Sequence, residues 1–482
     1  MWTETGNVCT IVPFVGTNSR MFARLEIDEE EFGRRRALAR RSGNPAWLWP
    51  EIEVSEWAEE PGNVCTIVPF VGTNSRMFAG LEIDGEEFGR RRALARRSGS
   101  PAWLWPEIEV SDWAEAVSLV SQATSAVLGG KKSSLPSRDG RTMSLACYTT
   151  GLGPLLGFWS QKGVLRTDPE TEALLALQLK HSTMRYTRVL HRTRDILGSF
   201  KASGIPVLVL KGSHTAQSYF PDPVTRPSSD LDLLVPSERA HQADAVLAEA
   251  GFDAISRGAR EASWMLAGDR RDPLSLWMVH ADDPWSIDLH RSLDFAANRG
   301  ASLVRLDRGE PFASTDIWPP QAGAHVLRQP LLLMHLAVHA SGGLHSLTLL
   351  RMVEIILVVR QDLANGRLRW DEFVALGEET NGLGAAYPAL AMCEKLVPGT
   401  IPDEILERCA LATSGRARAV VEQLEPATAH RVDRASLSEH FMWTRGLGSW
   451  VRQLGSDLVP RSAIWPTYQA RAYRLLRGRV SR

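Results

Sequence analysis

Five apolar positions in a row, Pro206 to Leu210, end at the polar Lys211-Gly212-Ser213. After His214 to Ser229 the pattern changes to Asp230-Leu231-Asp232-Leu233-Leu234-Val235. An unbroken apolar run of that length predicts a buried strand closed by a Gly-Ser turn. In the second stretch alternate residues share a face, so Leu231 and Leu233 point to a core and Asp230 and Asp232 project together from the other side. Ser237 starts a helix through Leu247, which Gly251 stops. Leu274 to His280 and Trp285 to His290 predict a hairpin around Ala281-Asp-Asp-Pro284. Upstream, Ala114 to Gly130 is helical and Lys131 to Arg141 is a polar, turn-rich linker. A long helix follows, with Asp168 as N-cap, Pro169 in its first position, and Glu170 and Glu172 complementing its N-terminus. Its apolar positions include Leu174, Leu177, Met184, Ile196 and Phe200, and Gly204 ends it. Beyond Gln329 the pattern is helical: Leu331 to Ala340, Leu347 to Asn365, Trp370 to Asn381 and Ala385 to Leu396.

The N-terminal part is organised differently. Residues 6–60 recur at 62–116 and differ only at Arg24/Gly80, Glu29/Gly85, Asn44/Ser100, Glu56/Asp112 and Glu60/Ala116. Solenoid arrays need three or more units and divergent caps. Two nearly identical copies instead read as a recent tandem duplication or a gene-model artefact. Each unit holds a short β-like run at Cys-Thr-Ile-Val-Pro-Phe-Val and a charged helix, Glu30 to Arg41 in the first copy. Its Arg cluster is a solvated face balanced by acids, and Trp47, Trp49 and Trp57 are small-module core. The expected organisation is a tandem repeat at 1–117, a helical region at 118–200, an α/β core at 201–300 and a helical C-terminal part at 301–482. The fold class is α+β, with a small mixed sheet flanked by helical regions and preceded by the duplicated module.

Composition narrows the function. The chain has 482 residues and a formal net charge of -1, which argues against coating nucleic acid as its main task. None of the five cysteines forms a CxxC, so neither a zinc framework nor a secreted disulfide scaffold is indicated. No apolar run reaches the roughly 18 residues of a membrane span. The N-terminus lacks the basic-then-apolar order of a signal peptide, and a cytoplasmic location is expected.

Candidate chemistry centres on the acids. Two carboxylates on one strand edge suit Mg²⁺, which prefers oxygen ligands, with Mn²⁺ as an alternative. A two-metal phosphoryl-type site usually needs a third acid. Asp288, in Ser286-Ile287-Asp288-Leu289-His290, is mid-strand between apolar neighbours, on a strand able to pair beside the first two. Turn chemistry already explains Asp282 and Asp283. His290 shares the acid face by its i+2 spacing and suits an orienting role. His335 and His339 are four apart without the acid of an HExxH motif, and with His345 they read as packing residues. Arg351 and Glu354 read as an i,i+3 surface or interhelix pair. Arg226 either neutralises phosphates or pairs with Asp230. Between Arg445 and the C-terminus there are eight Arg and one acid, Asp457. That tail packs on the core or attracts a nucleic acid or anionic surface.

In order, Leu-Lys-Gly-Ser, Arg-Pro-Ser-Ser-Asp-Leu-Asp-Leu-Leu-Val and Ile-Asp-Leu-His resemble the uncharacterised nucleotidyltransferase family of the DNA polymerase β-like superfamily. The resemblance spans roughly 140–482 and leaves out the repeats. It implies that Gly212 and Ser213 hold the triphosphate of an NTP, with ATP as the default donor. Beside them, Lys211 either contacts phosphate as a point charge or caps the strand, and Arg226 joins it as a candidate nucleotide-binding residue. It implies that Asp230, Asp232 and Asp288 hold metal, Asp288 also serving as general base. The segment His214 to Ser229 is longer than the superfamily's usual spacing but suits this family. The acceptor class expected is a small molecule or peptide, with nucleic acid less favoured. Two other readings stand beside it: a toxin-like transferase acting on tRNA or protein, and a non-catalytic binding protein on a transferase fold.

Overall fold

The computed structural model describes residues 110–257, 260–269, 278–297, 302–313, 315–342 and 347–429, with Ile108 and four short strands before them. Those strands pair within each copy of the repeat, Cys9–Ile11 with Ala23–Leu25 and Val64–Ile67 with Leu81–Asp84. Cys9 faces Leu25, whereas Cys65 faces Ile83, so the second hairpin's register is offset by two residues. Apart from Ile108 and Val110 to Ala116, which opens a helix, the rest of the repeat, including its charged helices and Trp47, Trp49, Trp57, Trp103 and Trp105, lies outside the described residues, as do His345 and the Arg-rich tail.

The larger unit is an α/β body around a seven-stranded mixed sheet. Its strands are β1 (Leu208–Val209), β2 (Asp230–Leu234), β3 (Phe252–Arg257), β4 (Glu261–Leu266), β5 (Ser286–His290), β6 (Thr315–Ile317) and β7 (His325–Leu327). They lie in the order β6-β7-β1-β2-β5-β4-β3. The central pair, β2 and β5, is parallel, with Asp232 opposite Asp288. β1 pairs antiparallel with β2 and parallel with β7. The expected hairpin partner of β5 is therefore corrected. β5 pairs antiparallel with β4, Ser263 opposite Asp288, while His280 is not in a strand and 271–277 lie outside the described residues. The parallel β2–β5 pair needs a long crossover, and the β3–β4 excursion supplies it. The sheet runs on to β7, past the expected boundary at residue 300.

The helices are α1 (Val110–Leu128), α2 (Gly140–Thr149), α3 (Gly153–Gln161), α4 (Pro169–Ala202), α5 (Lys211–Ser218), α6 (Ala240–Glu249), α7 (Leu331–Ser341), α8 (Leu349–Ala364), α9 (Trp370–Thr380), α10 (Leu383–Leu396), α11 (Asp403–Leu411) and α12 (Gly415–Gln423). Asp168 caps α4 by accepting from the Thr171 N–H at 3.0 Å, with Pro169 next to it, as its sequence requires. Two of its expected core positions are exposed, Leu177 and Met184. That helix buries the side that meets α2, α3, α6 and the sheet's core, and Gln178, Ser182 and Arg185 occupy part of it. Leu231, Leu233, Ile287 and Leu289 point into one core with Ile196 and Phe200 of α4 and Val246 and Leu247 of α6. The period-2 pattern then requires the acids to share the opposite face. All eleven residues of α7 are buried, and α8, α9 and α10 pack around it. A helix apolar on every side is stable only in such a position.

Candidate active site

β1 ends at Val209, and from Leu210, its N-cap residue, the chain enters α5 at once, so Gly212 and Ser213 lie in the first turn of a helix where a Gly-Ser turn was expected. Lys211 takes the corner with φ of 29°, a left-handed conformation that costs a side-chain-bearing residue roughly 1–3 kcal/mol. The corner places its ammonium 2.6 Å from Asp232 Oδ1. Gly212 has a different constraint: a Cβ there would lie 2.5 Å from the Arg226 guanidinium and 3.1 Å from Ser228 Oγ. A side chain at 212 would therefore have to displace the Arg226 guanidinium, which Glu354 holds in place, whatever else binds nearby.

Asp230, Asp232 and Asp288 present ligand atoms that all lie within 4.8 Å of one another. Parallel pairing sets Asp232 directly beside Asp288, and i+2 spacing sets Asp230 on the same face. His290 Nε2 lies 3.0 Å from Asp232 Oδ1, the oxygen that Lys211 also bonds, so it orients that carboxylate. Ser228 Oγ is 3.2 Å from Asp230 Oδ1, and Ser263 bonds Asp288 from the neighbouring strand. Burial works to raise the Asp232 pKa, but the Lys211 ammonium and the His290 hydrogen bond outweigh it and hold this carboxyl well below the usual range. Burial, then the charge of Asp232, raises Asp230. Burial, then Asp230 and Asp232, pushes Asp288 up to about 7. The cluster thus has more negative charge than its surroundings neutralise. An all-oxygen donor set with mutual repulsion that a cation would relieve fits a divalent metal.

Arg226 does not pair with Asp230. Its Nε and NH2 donate to Glu354 Oε1 and Oε2 at 2.9 and 3.0 Å, a bidentate pair. Glu354 is 2% exposed and also accepts from the Thr215 hydroxyl, so of the expected surface or interhelix roles it takes an interhelix one, a buried joint between α8 and α5, with Arg226 and not Arg351 as its ion-pair partner. Arg351 instead donates to His339 Nδ1. His335 and His339 are buried on α7, consistent with packing, yet Lys211 and Asp232 are near enough to influence the titration of both. Motif reading also missed Arg185, 2% exposed on α4. It donates to the carbonyls of Ser228 at 3.2 Å, Pro284 at 2.8 Å and Asp283, bracing the entries to β2 and β5 together. The sequence offered no clear signal for it, because the buried face it shares also holds Gln178, Ser182 and Thr193 and its partners are backbone carbonyls.

Comparison with known proteins agrees with this geometry. The model of a family described as "Uncharacterised nucleotidyltransferase" matches residues 150–398, just over half of the chain, and the chain belongs to that family. It is a nucleotidyltransferase, for which an NTP is the implied substrate. No curated protein and no solved structure matches. Among the described residues, no helix is long and apolar enough to cross a membrane.

Proposed function

We propose that the protein transfers a nucleoside monophosphate, AMP from ATP, to the hydroxyl or phosphate of a small-molecule or peptide acceptor. The observation that carries this reading is the juxtaposition of Asp230, Asp232 and Asp288 on two adjacent parallel strands. The acceptor oxygen bonds the α-phosphorus, the bond to the departing pyrophosphate breaks, and the acceptor proton passes to Asp288. Such chemistry depends mainly on positioning and electrostatics. Mg²⁺ held by the three acids, with Mn²⁺ as a substitute, would offset the charge gathering on the phosphates. Lys211 and His290 fix Asp232 Oδ1 and leave its other oxygen without these two bonds. The N–H groups of the first turn of α5, at Gly212 and Ser213, meet the triphosphate where the helix dipole favours anions. Arg226 supports that turn from its anchorage on Glu354.

The test is incubation with Mg²⁺ and α-labelled NTPs against a panel of metabolites, peptides and RNA. Label should pass to an acceptor with the wild type, and Asp232→Asn should lose about a thousandfold in rate. If wild type and Asp232→Asn are equally inert in metal-dependent NTP binding, the protein is a binding module on a transferase fold.

A further inference from the structure

The charges of Lys211, Arg226 and Arg351 all act on Asp230, and the first two already have counter-charges. Lys211 pairs with Asp232, and Arg226 with Glu354. Arg351, in the first turn of α8, is built differently. It is half-buried, yet no carboxylate lies within ion-pair distance of it among the described residues. Its hydrogen-bond partner there is Nδ1 of His339 on α7, an imidazole that burial holds well below its ordinary pKa and so neutral. A guanidinium carries several N–H donors, and cations are seldom buried without an opposite charge. An offset to the acids is a weak reason for its presence: Asp230 stays raised, and Arg351 lowers it less than Lys211 and Arg226 do.

The position of Arg351 is informative. Its charged neighbours are Glu354 and Arg226, which hold the α5 turn, and Asp230 and Asp232 on the acid face. It therefore stands where the phosphate-binding turn and the metal-binding acids meet. A second polar group nearby also lacks a partner. His335, 6% exposed and one turn before His339, has its Nε2 without a hydrogen bond among the described residues. Lys211, His290, Asp232 and Arg351 are all near enough for their charges to act on it. Buried polar atoms are ordinarily satisfied, and a polyanion reaching from the α5 turn toward α7 would supply acceptors here.

We propose that Arg351 binds the β- and γ-phosphates of the donor nucleotide, with His339 as the positioning residue that holds its guanidinium. The inference rests on the nucleotidyl-transfer reading and gives its leaving group a cation. When the bond from the α-phosphorus to pyrophosphate breaks, the electron pair stays on the departing oxygen. A planar guanidinium on the β- and γ-oxygens offsets that charge by hydrogen bonds, without giving up a proton.

Calorimetric titration of the full chain with inorganic tripolyphosphate and Mg²⁺, and with Mn²⁺ alone, tests it. Arg351→Met should weaken tripolyphosphate about tenfold or more and leave Mn²⁺ within about twofold. Arg351→Lys keeps the charge and loses the planar fork, and should weaken tripolyphosphate about threefold. Should Arg351→Met fail to fold, as judged by its melt, Arg351→Lys decides alone. His339→Leu removes the acceptor for Arg351 and should cost about threefold in tripolyphosphate affinity, whereas His339→Asn, with an oxygen near the Nδ1 position, should restore most of it. Equal losses in these two overturn the positioning role. Unchanged tripolyphosphate affinity in the folded Arg351 variants overturns the inference, and a change confined to Mn²⁺ does so by making Arg351 an offset to the acids. Equal weakening of tripolyphosphate and Mn²⁺ also overturns it, by showing a general disturbance of the site. If the wild type binds neither tripolyphosphate nor ATP with Mg²⁺, the transferase reading itself fails, and this one with it.

Discussion

Two buried charge clusters meet around α5 and are built on opposite plans. At the junction with α8, Glu354 receives two parallel bonds from Arg226 and a third from Thr215. Burial would raise its pKa, but Arg226 prevails and keeps it below the usual glutamate range. One helical turn pair further along α8, Asp362 is bonded by Tyr219 at 2.9 Å and Gln329 at 2.7 Å. On β2 and β5, by contrast, three carboxylates crowd within 4.8 Å, and only Asp232 is drawn below its ordinary range. A matched cluster has little reason to recruit anything from solution and works as a joint. A cluster with surplus like charge is costly as it stands and is relieved by cations. Depth of burial alone does not separate the two, since Asp232 is 4% and Glu354 2% exposed.

The sharpest way to break the comparison is to unmatch the matched cluster. Glu354→Ala leaves the Arg226 guanidinium buried without its counter-charge, which should cost about 3–5 kcal/mol and lower the melting temperature accordingly. The double variant Arg226→Met/Glu354→Leu should recover much of that loss, because the joint then contains no unpaired charge. Chemical denaturation of the wild type, Arg226→Met, Glu354→Leu and the double variant closes the double-mutant cycle that checks this, with Glu354→Ala measured beside it. A double variant as unstable as the sum of the singles would mean that the pair is not one interaction.

The acid face was legible in the sequence because a strand's period is fixed. Once Leu231 and Leu233 face the core, Asp230 and Asp232 have one place to go, and Ile287 and Leu289 do the same for Asp288. Pairing of β5 beside β2 was foreseeable from their matched patterns. The antiparallel partner of β5 was not, because Glu261–Leu266 carries no period that distinguishes it from the competing stretch before Ala281. The α5 helix was hidden for a local reason: Gly-Ser after a strand looks like a turn, and only tertiary packing continues it into Thr215 and Ala216. Glu354 was misread because i,i+3 spacing ignores what lies across the interface, and its partner is 128 residues away. Arg185 was invisible because it bonds backbone carbonyls, which leave no mark in side-chain patterns.

Asp288→Asn should act in the opposite sense from Glu354→Ala, and its effect should depend on pH. The Asp288 pKa is raised from 3.8 to about 7 by burial and then by Asp230 and Asp232. A group raised on folding contributes its stability in full below its unfolded pKa and loses it as pH rises through the folded one. The metal-free wild type is therefore penalised progressively from about pH 4 upward, the penalty reaching about 4 kcal/mol above about pH 7 at 1.36 kcal/mol per unit. Asp288→Asn removes that penalty. Without metal it should match the wild type near pH 4 and be the more stable protein at pH 8. Denaturation curves at the two pH values check the sign, and a variant less stable at pH 8 would place Asp288 among the matched charges.

The smallest expected effect is the relief of the same repulsion by a cation. Mg²⁺ or Mn²⁺ at ten times its dissociation constant stabilises the folded state by about 1.4 kcal/mol. For a body of this size that corresponds to a rise of about 2 °C in melting temperature. The rise should be larger at pH 8 than at pH 5, because at the lower pH the cation must displace a proton from Asp288. Asp232→Asn should abolish it, whereas Arg226→Met/Glu354→Leu should retain it despite the altered baseline. Thermal melts across a metal titration read all four cases. Retention in the double variant is the decisive one, because it would show that the joint and the cation site are separable although both hold on to α5.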